Sequence, residues 1–162
     1  MEHISDSLQK ASSEVSQSQS QTTPISNEIS IYSGKLTKRG FAEQTPRILK
    51  AFPKMPIETF EILKERFKAN GFDDERLKAS IDSVIDTYEG WDKLPNIANF
   101  IQFDKKIKVH SYYDFLEITR DMDASTRTAW QGQRVYKKIK GREGLYYVLK
   151  TDYENYKHLF EG

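Results

Sequence analysis

The chain has 162 residues and a net charge of +1, so its overall charge singles out no class of partner. It has no cysteine, which excludes disulfide bonds, thiolate zinc sites and a thiol nucleophile. No apolar run reaches the roughly 18 residues of a membrane span, and the first residues lack the pattern of a signal peptide. We therefore expect a cytoplasmic protein with one hydrophobic core and no membrane association.

Residues 1–30 are rich in Ser and Gln, carry a net charge of −3 and offer few apolar side chains to bury. Ordering such a segment costs conformational entropy without compensating burial. We predict a flexible tail over 1–30, dispensable for folding, and a single folded domain over 31–162. A short helix that docks on a partner is an alternative for part of the tail, because helical spacing relates Ile4, Leu8, Ala11 and Val15.

The folded domain begins with three helical patterns. In the first, Thr45 is the expected N-cap and Pro46 the first helical residue. The second is expected to open with Pro56 and to end at Gly71, where a C-terminal cap belongs. Its apolar stripe comprises Ile57, Phe60, Leu63 and Phe67. It should form an antiparallel pair with the next helix.

The third pattern is the strongest, with Asp73 as its N-cap and Gly90 at its end. Its apolar residues recur at helical spacing, at Leu77, Ile81, Val84, Ile85 and Tyr88. Pro95 should be the first residue of a short helix, and we expect Trp91 to pack between these two helices. Ser111 and Asp114 have the spacing of a capping box before another helix.

The pattern changes in the last third of the chain. Residues 123–132 are expected to form a loop around an anchoring Trp130. Two β-rich runs, "RVYKKI" and "LYYVL", flank a Gly-bounded "KGREG" and predict a hairpin with an exposed, projecting tip. Thr151 and Glu154 predict a capping box before a final helix. The fold class is thus mainly α, a small helical bundle with a C-terminal hairpin and final helix. This order also matches a winged helix-turn-helix.

Positive charge is concentrated in residues 105–150, where eleven Lys and Arg stand against five acidic residues, a local net charge of +6. Any single lysine is explained as well by the need to keep a hairpin soluble and its edge unpaired. We interpret the cluster as a whole as a contact for a polyanion. The predicted nucleic-acid-binding residues are Lys105, Lys106, Lys108, Arg134, Lys137, Lys138, Lys140 and Arg142. Tyr136, Tyr146 and Tyr147 lie among them and could stack on unpaired bases.

No other pattern indicates chemistry. His110 and His158 have no second His or Cys at metal-ligand spacing, and we expect His110 to be a polar residue at the end of an element. Asp121 and Asp123 lack the Gly and Glu of a calcium loop, so a turn or cap is expected. We find no P-loop and no nucleophile elbow. The sequence therefore predicts no enzymatic activity, no cofactor, no metal and no small-molecule substrate.

The segment "ERLKASIDSVIDTYEGWDKLPNIANFI" is similar to the small helical domains of phage replicative-helicase loaders. In both, a helix ends in an aromatic-rich turn and a Trp-x-x-x-Pro junction leads into the next helix. The matching positions are Tyr88, Trp91, Pro95, Ile97 and Phe100. Residues 52–116, with "AFPKMP" and "FIQFDKKIKVHSYYDFL", also resemble uncharacterised proteins of gut-bacterial phages and mobile elements. The hairpin and final helix have no counterpart in the loaders.

The resemblance implies a bacterial host and a non-enzymatic accessory role in phage or mobile-element DNA replication. The partner would be a replicative helicase or another protein. DNA binding through the basic hairpin is expected separately, from the charge of the hairpin. Candidate partner-binding residues are Trp91, Tyr112 and Tyr113. The alternative is a structural or interaction protein, such as a virion component or an inhibitor of a host protein. Its aromatic surface would then bind the partner, and the basic hairpin would be incidental.

Overall fold

The computed structural model describes residues 27–90 and 93–162. This part of the chain contains seven α-helices, a short 3₁₀ helix and one antiparallel sheet of four strands. The helices are α1 Lys38–Ala51, α2 Glu58–Ala69, α3 Asp74–Thr87, α4 Ile97–Ile101, α5 Tyr112–Thr119, α6 Ala124–Gly132 and α7 Lys150–Asn155. The strands are β1 Glu28–Ser30, β2 Lys106–His110, β3 Arg134–Lys138 and β4 Leu145–Leu149, in the order β1-β2-β4-β3. The helical character agrees with the predicted fold class, although the sheet extends well beyond the expected hairpin.

The buried side chains form two clusters, where the sequence analysis expected one core. The first lies among α1–α4, which we call the helical lobe, and it is centred on Leu63, Phe67, Leu77 and Phe100. The second lies between one face of the sheet and the C-terminal segment, in what we call the sheet lobe. Each cluster is completed by its own elements, since the apolar stripes of α1–α4 face one another and α7 covers the sheet.

Several predicted helix signals are confirmed. Asp73 accepts a hydrogen bond from the amide of Arg76 and caps α3, and Asp123 caps α6 through Thr126. Ser111 and Asp114 form the expected capping box. Gly71 has a positive φ of 68° at the end of α2, the backbone conformation that favours glycine at a C-terminal cap. His110 is the last residue of β2, at the end of an element as expected.

Other helix signals were wrong. Helix α1 begins at Lys38 behind the cap Thr37, and Pro46 lies inside it, while the Thr45 hydroxyl donates back to the carbonyl of Phe41. Residues 123–132, expected to be a loop, provide the cap Asp123 and the helix α6. Pro56 and Pro95, expected to be first helical residues, precede the N-caps of α2 and α4. Helix α7 follows β4 directly, so it has no side-chain cap at Thr151. Helix α3 ends at Thr87, before Gly90, and its most extensive contacts are with α1 rather than α2.

Alternation along β2 divides the sheet into two faces. Ile107 and Val109 are buried on one face, which we call the core face, together with Ile29 and Val148. Leu159 and Phe160 cover this face. The intervening residues of β2 point to the opposite face, on which α5 and α6 pack. No helix among the described residues is long and apolar enough to cross a bilayer.

Strand β1 moves the start of the folded domain towards the N-terminus. Residues 28–30 were assigned to the tail, yet they pair with Lys106–Lys108 of β2 and bury Ile29, which is 8% exposed. The three-residue strand was missed because it is too short to show alternation. Residues 1–26 lie outside the described part, so the flexibility predicted for them stays a prediction.

Two truncations test this boundary. We predict that a chain beginning at Asn27 keeps the stability of the full chain, since residues 1–26 offer few apolar side chains. A chain beginning at Ile31 loses the edge strand and the burial of Ile29, so its free energy of unfolding should fall by about 2–4 kcal/mol. Urea unfolding followed by circular dichroism measures both. Equal stability of the two truncated chains would show that β1 contributes nothing.

Candidate nucleic-acid and partner-binding surfaces

The alternation of β2 sends neighbouring lysines to different sides of the sheet. Lys106 and Lys108 are exposed on the opposite face. Lys105 precedes the strand and shares the side of Ile107, where its Nζ lies 5.9 Å from the centre of the Tyr156 ring. The predicted 105–108 cluster is therefore not one continuous patch.

The hairpin loop folds back onto the sheet lobe, so the prediction that its tip projects into solvent is wrong. Ile139 is buried and bridges to Phe160, and the amide of Lys140 donates to the carbonyl of Leu159 over 2.9 Å. Arg142 Nη2 donates to the carbonyl of Glu28 over 3.4 Å. Positive φ angles at Gly141 and Gly144 allow the chain to reverse here. The apolar Ile139 holds the loop down because its side chain completes the second buried cluster.

This folded-back loop forms one wall of a cleft of about 570 Å³. The other walls are β1 with the residues that follow it, and the 3₁₀ helix Lys157–Leu159. Lys140, Arg142 and His158 line it together with the hydroxyl-bearing Ser30, Tyr32 and Ser33. We call it the cationic cleft. It combines cations with hydrogen-bond donors, the groups that bind phosphate oxygens.

Lys105 adds a further positive charge beside this cleft. Partial burial raises the pKa of the Tyr32 hydroxyl, and the Lys105 ammonium partly offsets this effect. The phenol therefore stays protonated at neutral pH and can donate a hydrogen bond. His158 is fixed by its Nε2, which lies 2.9 Å from the carbonyl oxygen of Ile31. Acidic residues also border the cleft, at Glu28 and at Asp104, which accepts a hydrogen bond from the Ser30 hydroxyl.

Arg134, Lys137 and Lys138 make contacts inside the sheet lobe. The guanidinium of Arg134 lies 3.7 Å from the centre of the Trp130 ring and donates to the Trp130 carbonyl over 2.8 Å. Burial lowers the pKa of Arg134. Lys137 Nζ lies 5.1 Å from the centre of the Tyr153 ring on the core face, and Lys138 pairs with Glu161 over 3.0 Å. These contacts stabilise the lobe by cation–π attraction and ion pairing.

A group of exposed apolar side chains lies where α5 meets the hairpin. Tyr113 is 80% exposed, and Tyr112, Leu116, Tyr136 and Leu145 are each 42–50% exposed. We call these five residues the tyrosine patch. It contains two predicted partner-binding residues; the third, Trp91, lies outside the described residues. Clustered exposed tyrosines are typical of protein interfaces.

The tyrosine patch rests on an aromatic cluster. Tyr136 stacks on Tyr147 with ring centres 4.4 Å apart, and Tyr147 also contacts Phe115 and Trp130, at 5.0 and 5.5 Å. Partial burial raises the pKa of Tyr136, and the neighbouring hydroxyls of Tyr147 and Tyr112 add to this effect. Trp130 is thus an anchor as predicted, although it sits on a helix. The cluster gives the patch a rigid base.

Sequence reasoning missed Tyr32 and His158 as parts of the cleft. His158 was considered only as a metal ligand, and Tyr32 lies in a stretch without periodicity. The chain around Tyr32 meets His158 and the hairpin loop only through contacts more than 100 residues apart in sequence, and His158 meets the loop through the bond between Lys140 and Leu159. No local signal in a single sequence reports such contacts.

No protein-family model, no curated protein and no solved structure matches this chain. The resemblance to helicase-loader domains therefore stays a prediction from the sequence. Among the described residues, no group of three or more His, Asp or Glu side chains could hold a metal ion.

The environment of His110 should make the stability of the protein depend on pH. Burial lowers its pKa, the Arg134 guanidinium lowers it further, and its buried Nδ1 bonds to no described residue. The folded protein therefore disfavours the charged imidazole, while the unfolded chain protonates it near pH 6.5. Stability should fall as the pH drops through this value towards the lower folded-state pKa.

His110→Gln should remove this part of the pH dependence. The measurement is the free energy of unfolding of both proteins between pH 8 and pH 5. The loss of stability of the wild type on acidification should exceed that of the variant. Parallel pH profiles would show that His110 does not titrate differently on folding.

Proposed function

We propose that this chain is a non-enzymatic accessory protein of phage or mobile-element DNA replication, which binds DNA and a protein partner. The replication context rests on the resemblance of residues 75–101 to helicase-loader domains and of residues 52–116 to uncharacterised proteins of phages and mobile elements. DNA binding is supported by one observation above all, the convergence of Lys140, Arg142 and His158 on one cleft beside Lys105. Segments widely separated in the chain thus direct positive charge and hydroxyl donors towards the same space.

A phosphate backbone is the ligand that best suits these groups. Lysine and arginine neutralise phosphates and release condensed counterions, and the hydroxyls of Tyr32 and Ser33 can donate to phosphate oxygens. The order of a helix pair followed by a basic hairpin is that of a winged helix-turn-helix. In our proposal the hairpin contacts phosphates from within the cleft.

Fluorescence anisotropy with labelled single- and double-stranded oligonucleotides tests DNA binding. We expect non-specific dissociation constants near 10⁻⁴–10⁻⁶ M at physiological salt, with weaker binding as the salt concentration rises. The double variant Lys105→Gln/Lys140→Gln should reduce the slope of log K against log salt by up to about two units. The fold should survive, because Lys105 and Lys140 are both exposed.

Two matched pairs control for loss of charge. Lys50→Gln/Lys68→Gln removes two exposed lysines from the helical lobe and should leave the slope unchanged. Lys106→Gln/Lys108→Gln removes two from the opposite face of the sheet and should change it less than the cleft pair does. Absence of DNA binding, or equal effects of the cleft and helical-lobe pairs, would contradict the proposal.

The tyrosine patch favours a second candidate, a structural or interaction protein such as a virion component or an inhibitor of a host protein. In that case Tyr112 and Tyr113 bind the partner and the cations only keep the lobe soluble. This candidate predicts no DNA binding at any salt concentration. The same titrations therefore discriminate between the two functions.

A further inference from the structure

Strand β3 is an edge of the sheet, and the direction of its main-chain groups can be derived from the register. The amide of Lys150 donates to the carbonyl of Gln133 over 3.0 Å, which makes these two residues a hydrogen-bonded pair. Hydrogen-bonded and non-hydrogen-bonded pairs alternate along an antiparallel ladder. The N–H and C=O groups of Val135 and Lys137 therefore face β4, and those of Arg134 and Tyr136 point away from the sheet.

The C-terminal segment covers only the far end of this edge. The amide of Glu161 donates to the outward carbonyl of Lys138 over 3.0 Å, and the amide of Lys140 donates to Leu159. The outward groups of Arg134 and Tyr136 make no hydrogen bond with a described residue. Among residues 27–90 and 93–162, nothing pairs with this short stretch of strand edge, which adjoins the tyrosine patch through the Tyr136 side chain.

The charge of β3 indicates what can pair with this edge. Three of its five residues are cations, Arg134, Lys137 and Lys138, and none is acidic. A second copy of β3, paired antiparallel about Tyr136, would place Arg134 opposite Lys138 twice, and like charges directly opposite each other are destabilising. A strand whose apolar side chains face the tyrosine patch turns its alternate side chains to the core face. Lys137 is the cation of β3 on that face, and it attracts acidic residues there.

We propose that the edge of β3 binds an extended acidic segment of a protein partner as a fifth strand of the sheet. The outward groups of Arg134 and Tyr136 provide main-chain hydrogen bonds, and the tyrosine patch receives the apolar side chains on one face of the added strand. This inference specifies the partner-binding half of the proposed function and rests on it. It does not depend on DNA binding by the cationic cleft.

A fluorescein-labelled peptide of alternating Glu and Val residues is a direct probe, read by anisotropy. A peptide of alternating Lys and Val should bind about tenfold more weakly, since it reverses the cross-strand charge pairs. The Glu-Val peptide with alternate backbone nitrogens methylated should lose binding, because it cannot donate to β3. On binding of the unmodified peptide, the amides of Arg134 and Tyr136 should become protected from hydrogen exchange.

The variant Tyr136→Pro tests the same contact from the protein side. It removes an outward N–H and leaves the ladder to β4 intact, so the edge position tolerates proline. Tyr136→Ala is the matched control, as it removes the ring and keeps the N–H. Tyr136→Pro should weaken peptide binding about fivefold more than Tyr136→Ala, the scale of one hydrogen bond. If Tyr136→Pro fails to fold, the methylated peptide decides the question.

Four results would overturn this inference: no binding of the Glu-Val peptide, equal binding of its methylated form, equal binding of the Lys-Val peptide, or a dimer of the free protein that Tyr136→Pro dissociates. In the last case a second copy occupies the edge. Loss of DNA binding with peptide binding intact would refute only the DNA half of the proposed function. DNA binding without peptide binding would refute only the edge contact.

Discussion

The sheet lobe depends on the burial of two side chains of β2, Ile107 and Val109, against the C-terminal segment. Because strand side chains alternate, burying these two fixes where every neighbour points. Lys106 and Lys108 go to the opposite face, and Lys105 goes to the side of the cationic cleft. A shift of register by one residue would bury lysines and expose the isoleucine and valine. The distribution of charge in the last third of the chain thus follows from one hydrophobic constraint.

The helical lobe fixes the position from which β2 begins. Arg76 of α3 donates to the carbonyl of Phe103 over 2.8 Å, and its Nε lies 3.7 Å from the carboxylate of Asp104. Asp104 in turn accepts a hydrogen bond from Ser30 at the end of β1. Asp73, which caps α3, also accepts a hydrogen bond from the amide of Gly34 over 2.9 Å. The same short stretch of α3 therefore positions the entry to β2 and the chain after β1, which borders the cleft.

Features that depend on neighbours in sequence could be predicted. The caps at Asp73 and Ser111 join groups three residues apart, and the β3–β4 hairpin is marked by Gly141 and Gly144 at the reversal. The helix starts predicted at Thr45 and Thr151 were wrong. Residue types that can cap a helix also occur at places where tertiary packing makes the helix begin at another residue. The alternation of lysines with apolar residues in "KIKVH" is typical of a strand and could have predicted β2. The strand was missed because the lysines were interpreted only as a cluster of charge.

The cleft and the β3 edge could not be predicted, because each depends on which strands become neighbours. Strand β2 separates β1 from β4, and nothing in β1 itself encodes that pairing. The folding back of the hairpin loop depends on Ile139 finding space beside Leu159 and Phe160. The hairpin loop, expected to project, therefore forms a wall of the cationic cleft, next to His158. A motif of charges identifies candidate groups, whereas the tertiary fold decides which of them share a surface.

We propose that the convergence of Lys140, Arg142 and His158 on the cationic cleft makes the sheet lobe, rather than the helical lobe, the surface that binds DNA. A titration of the isotope-labelled protein with a short oligonucleotide, followed by two-dimensional NMR, tests it most directly. The account predicts that the largest shift changes fall on the amides of Tyr32, Lys105, Lys140 and His158, with little change in α1–α4. Shift changes centred on α1–α4, or none at concentrations above the expected dissociation constant, would contradict it.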